Sequence, residues 1–214
     1  MSRIPPTSRR FEEMYADSAD PWQLGERAYD RRKYALTLAA LPRERYRSAF
    51  EPACSVGVLT AELARRCDRL LACDLASVAV REARARTREL PGVTVECRRL
   101  PEQWPTRADA PGAVPFDLVV LSEFLYYFEP ARLADVLARV RADLAPGGTL
   151  VAVHWRPAAE EHVLSAERVH AAVRALPGLV RVVEHREPDF LLDVLIRADA
   201  PADTLSPAAR EGLR

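Results

Sequence analysis

The chain has 214 residues, about half of them apolar, which suits one domain with a full hydrophobic core plus extra elements rather than two independent domains. Acidic and basic residues number 31 each, so the formal charge is zero and the positive excess of a nucleic-acid binder is missing. No run approaches 18 apolar residues and the start, Met1-Ser2-Arg3-Ile4-Pro5-Pro6, has no signal-peptide core, so the expectation is a cytoplasmic protein with no membrane partner.

Residues 1–7 read as a loose end. Residues 8–16 suit a short helix with Phe11, Met14 and Tyr15 on one side, broken by Asp17-Ser18-Ala19-Asp20-Pro21-Trp22. A second helix over 29–41 carries Tyr29, Tyr34, Leu38 and Leu41, and Pro42 stops it. Residues 1–47 thus form a helical lid segment ahead of a core over 48–198. In that core, short apolar runs at 48–54, 69–74, 92–97, 116–121 and 148–154 alternate with helical patterns at 57–67, 77–90, 130–145 and 160–176. Alternation of this kind predicts right-handed crossovers and a largely parallel sheet. Ala145-Pro146-Gly147-Gly148 reads as a helix stop and tight turn. Residues 179–187 and 189–197 are two strands with almost nothing between them, which forbids a parallel crossover and predicts an antiparallel hairpin. The fold class is therefore α/β: a Rossmann-like, seven-stranded, mostly parallel sheet with one antiparallel strand, helices on both faces and an N-terminal helical lid. Residues 199–214 read as a flexible tail or a short surface helix.

Cys54, Cys67, Cys73 and Cys97 form no CxxC pair and have no histidine nearby in sequence. Buried free thiols are expected, with no disulfide and no metal. His162 and His170 fall on a predicted surface helix and suggest no function. Lys33 is the only lysine; every other basic residue is arginine.

The most informative stretch is Phe50-Glu51-Pro52-Ala53-Cys54-Ser55-Val56-Gly57 with Asp74, which lies 17 residues beyond Gly57 at the end of an apolar run. An acidic residue followed by small residues at alternate positions, where a strand becomes a helix, suits a nucleoside-bearing cofactor at the carboxyl ends of the strands. A Gly-x-Gly-x-x-Gly frame, which a nicotinamide-dependent reductase would need, does not fit this spacing.

With the sheet pattern and the Pro-Gly-Gly turn, this stretch resembles the class I S-adenosylmethionine-dependent methyltransferases. Their first motif, acidic-x-Gly-x-Gly-x-Gly, stands here as Glu51-x-Ala53-x-Ser55-x-Gly57. Alanine and serine keep the ligand's approach open, but neither favours φ > 0 as glycine does, so the departure bears on the loop's shape. More of the chain resembles the nodulation-protein-S type: Asp20-Pro21-Trp22, Tyr29, Lys33-Tyr34, Thr37-Leu38, Leu41-Pro42, Cys54 to Thr60, Leu100-Pro101-Glu102-Gln103-Trp104-Pro105, Leu121 to Tyr127 and His154-Trp155-Arg156, over roughly 11–197. That family member N-methylates the free amine of a partly deacetylated chitin-like oligosaccharide. The resemblance implies an enzyme that uses S-adenosylmethionine, releases S-adenosylhomocysteine, needs no metal, and methylates an amine on a small, sugar-like acceptor, as a monomer or homodimer. An O-methyltransferase of natural-product biosynthesis and a non-catalytic cofactor-binding scaffold are the rivals; the substituted glycines are the scaffold's only support.

The resemblance also implies roles. Glu51 orients the methionine amino group; Ala53, Ser55, Gly57 and Val58 form the turn beneath the cofactor; Asp74 takes the ribose hydroxyls. Leu75 and Leu100 sandwich the adenine beside Pro101, and Glu102 accepts from its amino group. Leu121 ends the fourth strand and Ser122 follows it, beside the sulfonium. Methyl transfer is an in-line displacement in which alignment is worth roughly 7–11 kcal/mol, and an amine must be neutral to attack. Glu123 and His154 are the candidates to take its proton, with Tyr126 beside them. Tyr15, Trp22, Tyr29, Tyr127 and Trp155 are expected to wall the acceptor site, since aromatic faces suit sugars and cations.

Overall fold

Seven strands form one sheet in the order β3-β2-β1-β4-β5-β7-β6. The computed structural model describes residues 8–106 and 115–213, so the loose end expected at 1–7 lies outside the described residues. The strands are β1 (Ala49–Pro52), β2 (Leu70–Asp74), β3 (Val93–Cys97), β4 (Phe116–Ser122), β5 (Leu144–Trp155), β6 (Leu179–Arg186) and β7 (Phe190–Arg197). β1 to β5 are parallel, and β7 runs antiparallel to both β5 and β6. The short link Glu187–Asp189 allows only a reversal, so β7 slots between β5 and β6 as the single antiparallel strand.

The helices are α1 (Ser8–Asp17), α2 (Ala28–Ala39), α3 (Val58–Ala64), α4 (Ser77–Thr87), α5 (Pro130–Asp143), α6 (Ala166–Arg174) and α7 (Pro207–Arg210). β4 shows why both sheet faces need cover. Val119 and Leu121 point to a core shared with Phe50, Leu150 and the α5 residues Leu133, Val136 and Val140. Leu118 and Val120 point to the opposite core, with Val151, Val153, Leu63, Tyr34 and Leu41. Alternation across an apolar strand buries it twice over. Through Tyr34, with Leu41 just beyond its end, α2 belongs to that second core.

Several boundaries differ from the sequence pattern. α5 does stop at Asp143, but Ala145-Pro146-Gly147-Gly148 runs inside β5. The pairing with β4 slips between Phe116↔Leu144 and Leu118↔Thr149, and Gly147 takes φ +67 in the slip. The helix expected from 160 begins only at Ala166, where the Ser165 hydroxyl caps it by accepting the Arg168 N–H; residues 160–165 are loop. Residues 201–204 and 207–210 form two short helical turns at the C-terminal end. Cys54, Cys67 and Cys73 are buried free thiols, whereas Cys97, at the end of edge strand β3, is exposed, correcting the expectation for that one residue. Among the described residues no helix is long and apolar enough to cross a membrane.

Candidate active site

β1 is flanked by β2 on one side and β4 on the other, so the chain winds outward in both directions from it. The loops beyond the carboxyl ends of such strands diverge and leave a crevice. Here the crevice is a cleft of about 740 Å³, reaching from Glu51 and Asp74 to Glu123 and Trp155.

One half of the cleft rests on backbone. The turn after β1 carries three left-handed residues, Ala53 (φ 55), Ser55 (φ 50) and Gly57 (φ 76). The loop thus keeps the shape glycines would give it, with two positions held there against their preference. Asp74 ties it in place: its Oδ2 accepts the Ser55 N–H at 2.9 Å and its Oδ1 the Ala76 N–H at 3.0 Å. A carboxylate has about four acceptor sites, so room remains for hydroxyls. Glu51 is 2% exposed and its Oε2 has no partner among the described residues. Burial pushes its carboxyl up to about 8. A buried acid with an idle oxygen at the head of a small-residue turn fits a ligand's ammonium group. Leu75, Leu100 and Glu102 line the same end, where Glu102 is paired with Arg132.

The other half is built from charged side chains far apart in sequence. Glu123 follows β4 with φ 52, and its own N–H is held by the Val153 carbonyl at 2.9 Å. Its Oε1 accepts from Lys33 Nζ at 2.9 Å; its Oε2 accepts the Tyr126 hydroxyl at 2.5 Å and the Trp155 N–H at 2.9 Å. Lys33 also meets Asp30 Oδ1 at 3.3 Å. Burial would lower the Lys33 ammonium's pKa, but Glu123 and Asp30 together raise it, so Lys33 is charged. Burial, with Glu123 alongside, drives the Tyr126 hydroxyl well above its ordinary value, so it remains a donor. Tyr29, Tyr127, Phe11 and Trp155 give this half its apolar walls. Helix α1 lies across both halves: Tyr15 OH is 2.6 Å from Ser55 Oγ, Phe11 meets the Tyr127 ring edge-on at 5.1 Å, and Arg10 pairs with Glu161 at 3.4 Å.

The structure brings most expected residues to this cleft: Glu51, Ala53, Ser55, Asp74, Leu75, Leu100, Glu102, Ser122, Glu123, Tyr126 and all five aromatics line it. Gly57, Val58, Pro101 and Leu121 do not. A Cβ on Gly57 would meet the Cβ of Ala83 at 2.8 Å, so its missing side chain serves the packing of α4 and not the ligand. Leu121 is fully buried beneath the floor. Tyr15 and Trp22, expected at the acceptor, stand instead by the cofactor turn, packed edge-on at 5.5 Å in a cluster with Val56 and Ala76. His154 is the main correction. It has no exposed surface, lies behind the wall, and its Nε2 already accepts the Leu125 N–H at 3.2 Å, so it has no lone pair for an acceptor. His170 is likewise fully buried and His162 is 8% exposed, stacked on Tyr126 at 3.7 Å, where a surface helix was expected for both. Asp30 and Lys33 were missed as site residues; a lone lysine on the apolar face of a helix, three residues from an aspartate, was the available signal. Among the described residues no group of three His, Cys, Asp or Glu side chains is placed to hold a metal ion.

A cleft of this build, at the switch point of this sheet, defines the class: the Rossmann-like, S-adenosylmethionine-dependent methyltransferases. A Pseudomonas syringae protein described as a methyltransferase is 46% identical, with a TM-score of 0.69 over 80% of this chain and 100% of its own. The N-methyltransferase NodS of Bradyrhizobium japonicum WM9, solved with S-adenosyl-L-homocysteine, is 27% identical with a TM-score of 0.76 over 90% of this chain and 99% of its own. Nodulation protein S of Sinorhizobium fredii is 29% identical over 71% of this chain and 69% of its own. That of Bradyrhizobium diazoefficiens is 30% identical over 62% of this chain; the match spans 61% of that relative's length, just under two thirds. The sequence profile of the nodulation protein S (NodS) family matches residues 8–187, and the chain belongs to that family.

Proposed function

We propose that the protein N-methylates an amine on a small, sugar-like acceptor, using S-adenosylmethionine. The observation that carries this reading is the single cleft joining the idle Glu51 carboxyl and Asp74 at one end to the Glu123–Lys33–Tyr126 cluster at the other. When bound, S-adenosylmethionine supplies an electrophilic methyl group on a sulfonium. Glu51 holds its ammonium, Asp74 its ribose hydroxyls, and Leu75 and Leu100 flank its base. Tyr29, Tyr127 and Trp155 exclude water and offer rings to the acceptor.

The acceptor half favours nitrogen over oxygen. A hydroxyl must lose its proton to attack, and three of the roughly four acceptor sites of Glu123 already serve internal donors. A neutral amine needs no base at that moment. The scaffold reading loses its support, since the loop keeps its left-handed turns without the glycines. We place the reaction in the cytoplasm.

Titration calorimetry with S-adenosylmethionine and S-adenosylhomocysteine tests the first half of the proposal, with NADH as control. Glucosamine-bearing chitin oligosaccharides tested for a methyl mass increment, beside their fully acetylated and hydroxyl-only counterparts, test the second. Methylation of the hydroxyl-only compounds, or binding of NADH alone, would sink it.

A further inference from the structure

Behind the acceptor half lies a set of polar groups that the chemistry above does not use. His154 on β5, His170 on α6 and Asp193 on β7 each have no exposed surface. Their proton arrangement follows from one fixed donor. The Leu125 N–H can only donate, and it points at His154 Nε2 at 3.2 Å, so that nitrogen is bare and the proton of His154 is on Nδ1. His154 Nδ1 lies 3.2 Å from His170 Nε2, which must accept, so the proton of His170 is on Nδ1. That nitrogen lies 2.6 Å from Asp193 Oδ2. Every ring nitrogen in the chain is satisfied by this arrangement, while Asp193 Oδ1 has no hydrogen-bond partner among the described residues. Arg174 Nε at 2.8 Å and Arg181 at 3.6 Å balance the carboxylate from outside. Burial and the neighbouring histidines hold the His154 pKa well below the ordinary value, consistent with a neutral ring.

An apolar trio would fill this space at lower cost, since a buried charge and two buried imidazoles must recover their lost hydration. On the same sheet face Leu150 and Ala152 of β5 and Leu195 of β7, with Val169 and Val173 of α6, show that the fold supplies such residues here. Three apolar side chains would leave the Leu125 N–H without an acceptor. Leu125 opens the single 3₁₀ turn Leu125–Tyr127 that delivers Tyr126 to the cleft. The rest of Tyr126 is clamped as well: His162 stacks on its ring, His154 meets the ring edge-on at 5.3 Å, and its carbonyl accepts from Val163 at 2.9 Å and Leu164 at 3.1 Å.

We propose that Asp193, His170 and His154 form a tautomer-locked chain of positioning residues that fixes the Leu125–Tyr127 turn, and through it the Tyr126–Glu123 pair, at the acceptor end of the cleft. Its catalytic consequence rests on the function proposed above; its structural core does not. Histidine-selective ¹⁵N NMR on the full chain reads the tautomers directly. His154 and His170 should both be neutral with the proton on Nδ1; either ring carrying its proton on Nε2, or carrying two, overturns the proposal.

Two variants complete the test. His154→Phe fills the space without an acceptor, while the side-chain oxygen of His154→Gln stands where Nε2 stood. The Leu125 amide should exchange at least about tenfold faster in the phenylalanine variant and near the wild-type rate in the glutamine variant. In the methylation assay, His154→Phe should lower kcat by about 10- to 100-fold, the scale of a misplaced catalytic group, with the KM for S-adenosylmethionine within about twofold. His154→Gln should recover most of that loss. Unchanged Leu125 exchange or unchanged kcat in folded His154→Phe overturns the idea. If that variant does not fold, the glutamine variant and the wild-type tautomers decide it. If no acceptor is methylated by the wild type, the functional proposal fails while tautomer and exchange still judge the chain.

Discussion

The two halves of the cleft are built by different means. In the cofactor half, polar side chains hold backbone: Asp74 accepts from the Ser55 and Ala76 amides, and the contributing residues come in runs, 51–55, 74–76 and 98–102. In the acceptor half, side chains hold each other. Asp30 and Lys33 come from α2, Glu123 and Tyr126 from beyond β4, and His162 from the loop before α6. A backbone-bound half tolerates the loss of one contact, because the strands and helices still set its shape. A half built on mutual charge does not, because removing one partner leaves the others buried and uncompensated.

The largest expected effect is therefore at Lys33. Lys33→Met strands Glu123 and Asp30, and should lower the unfolding free energy by about 2–4 kcal/mol, below the fully buried limit because Glu123 keeps 24% of its side chain exposed. Adding Glu123→Gln to that variant should return part of the loss. Urea denaturation of the two variants measures it, and a Lys33→Met protein within about 0.5 kcal/mol of wild type would abolish the contrast between the halves. Next comes Asp74→Ala. It removes the proposed ribose partner and leaves the Ser55 and Ala76 amides without their acceptor, so the affinity for S-adenosylhomocysteine should fall roughly 100-fold, about 2.7 kcal/mol, with a smaller change in stability. Calorimetry giving an unchanged affinity would overturn the cofactor placement.

The same contrast explains what could be read in the sequence. Strand and helix alternation, the single reversed strand and the acidic-to-small turn are local patterns, and all are present, with some boundaries shifted. The residues expected at the cofactor from those patterns, Glu51 and Asp74, fall on the cleft. What the pattern could not separate is the inward from the outward face within a turn: Gly57 faces α4, and Leu121 lies under the floor. The acceptor half depends on which distant elements meet. Nothing near Lys33 announces Glu123, 90 residues away. His154 looks like a base in sequence because its neighbours line the cleft; only the strand's alternation and the Leu125 amide turn it inward. His170 and Asp193 sit in segments that read as ordinary amphipathic helix and hairpin.

Glu51 gives a prediction of intermediate size that sharpens the cofactor half. Its carboxyl rises from 4.5 to about 8 in the folded, ligand-free protein. A carboxyl raised on folding contributes stability that is complete below about 4.5 and is lost as pH rises through about 8. The unfolding midpoint of wild type should thus fall relative to that of Glu51→Gln as pH rises from about 4.5 to about 8, and level off above that. A ligand ammonium favours the ionised form, so binding near neutrality should release a proton, and the affinity for S-adenosylhomocysteine should rise towards pH 8. Calorimetry in buffers of different ionisation enthalpy reads that proton. Equal release by Glu51→Gln would assign it to another group.

The smallest effect separates shape from strain in the cofactor turn. Ala53 and Ser55 hold φ of 55 and 50, a conformation costing about 1–2 kcal/mol for a residue with a Cβ. Ala53→Gly removes that cost but adds roughly 0.4–1 kcal/mol of unfolded-chain freedom, so it should stabilise the protein by about 0.5–1 kcal/mol. Ser55→Gly relieves the same strain yet loses the hydroxyl bond to Tyr15 at 2.6 Å, worth about 1 kcal/mol, and should be close to neutral. Because the turn already has the shape glycine would give it, Ala53→Gly should leave the S-adenosylhomocysteine affinity within about twofold of wild type. A large gain in affinity would instead mean that the alanine methyl obstructs the ligand. A loss of stability in Ala53→Gly would mean that its backbone is not left-handed in solution. In either case the cofactor half would depend on a particular side chain, as the acceptor half does, and not on backbone shape alone.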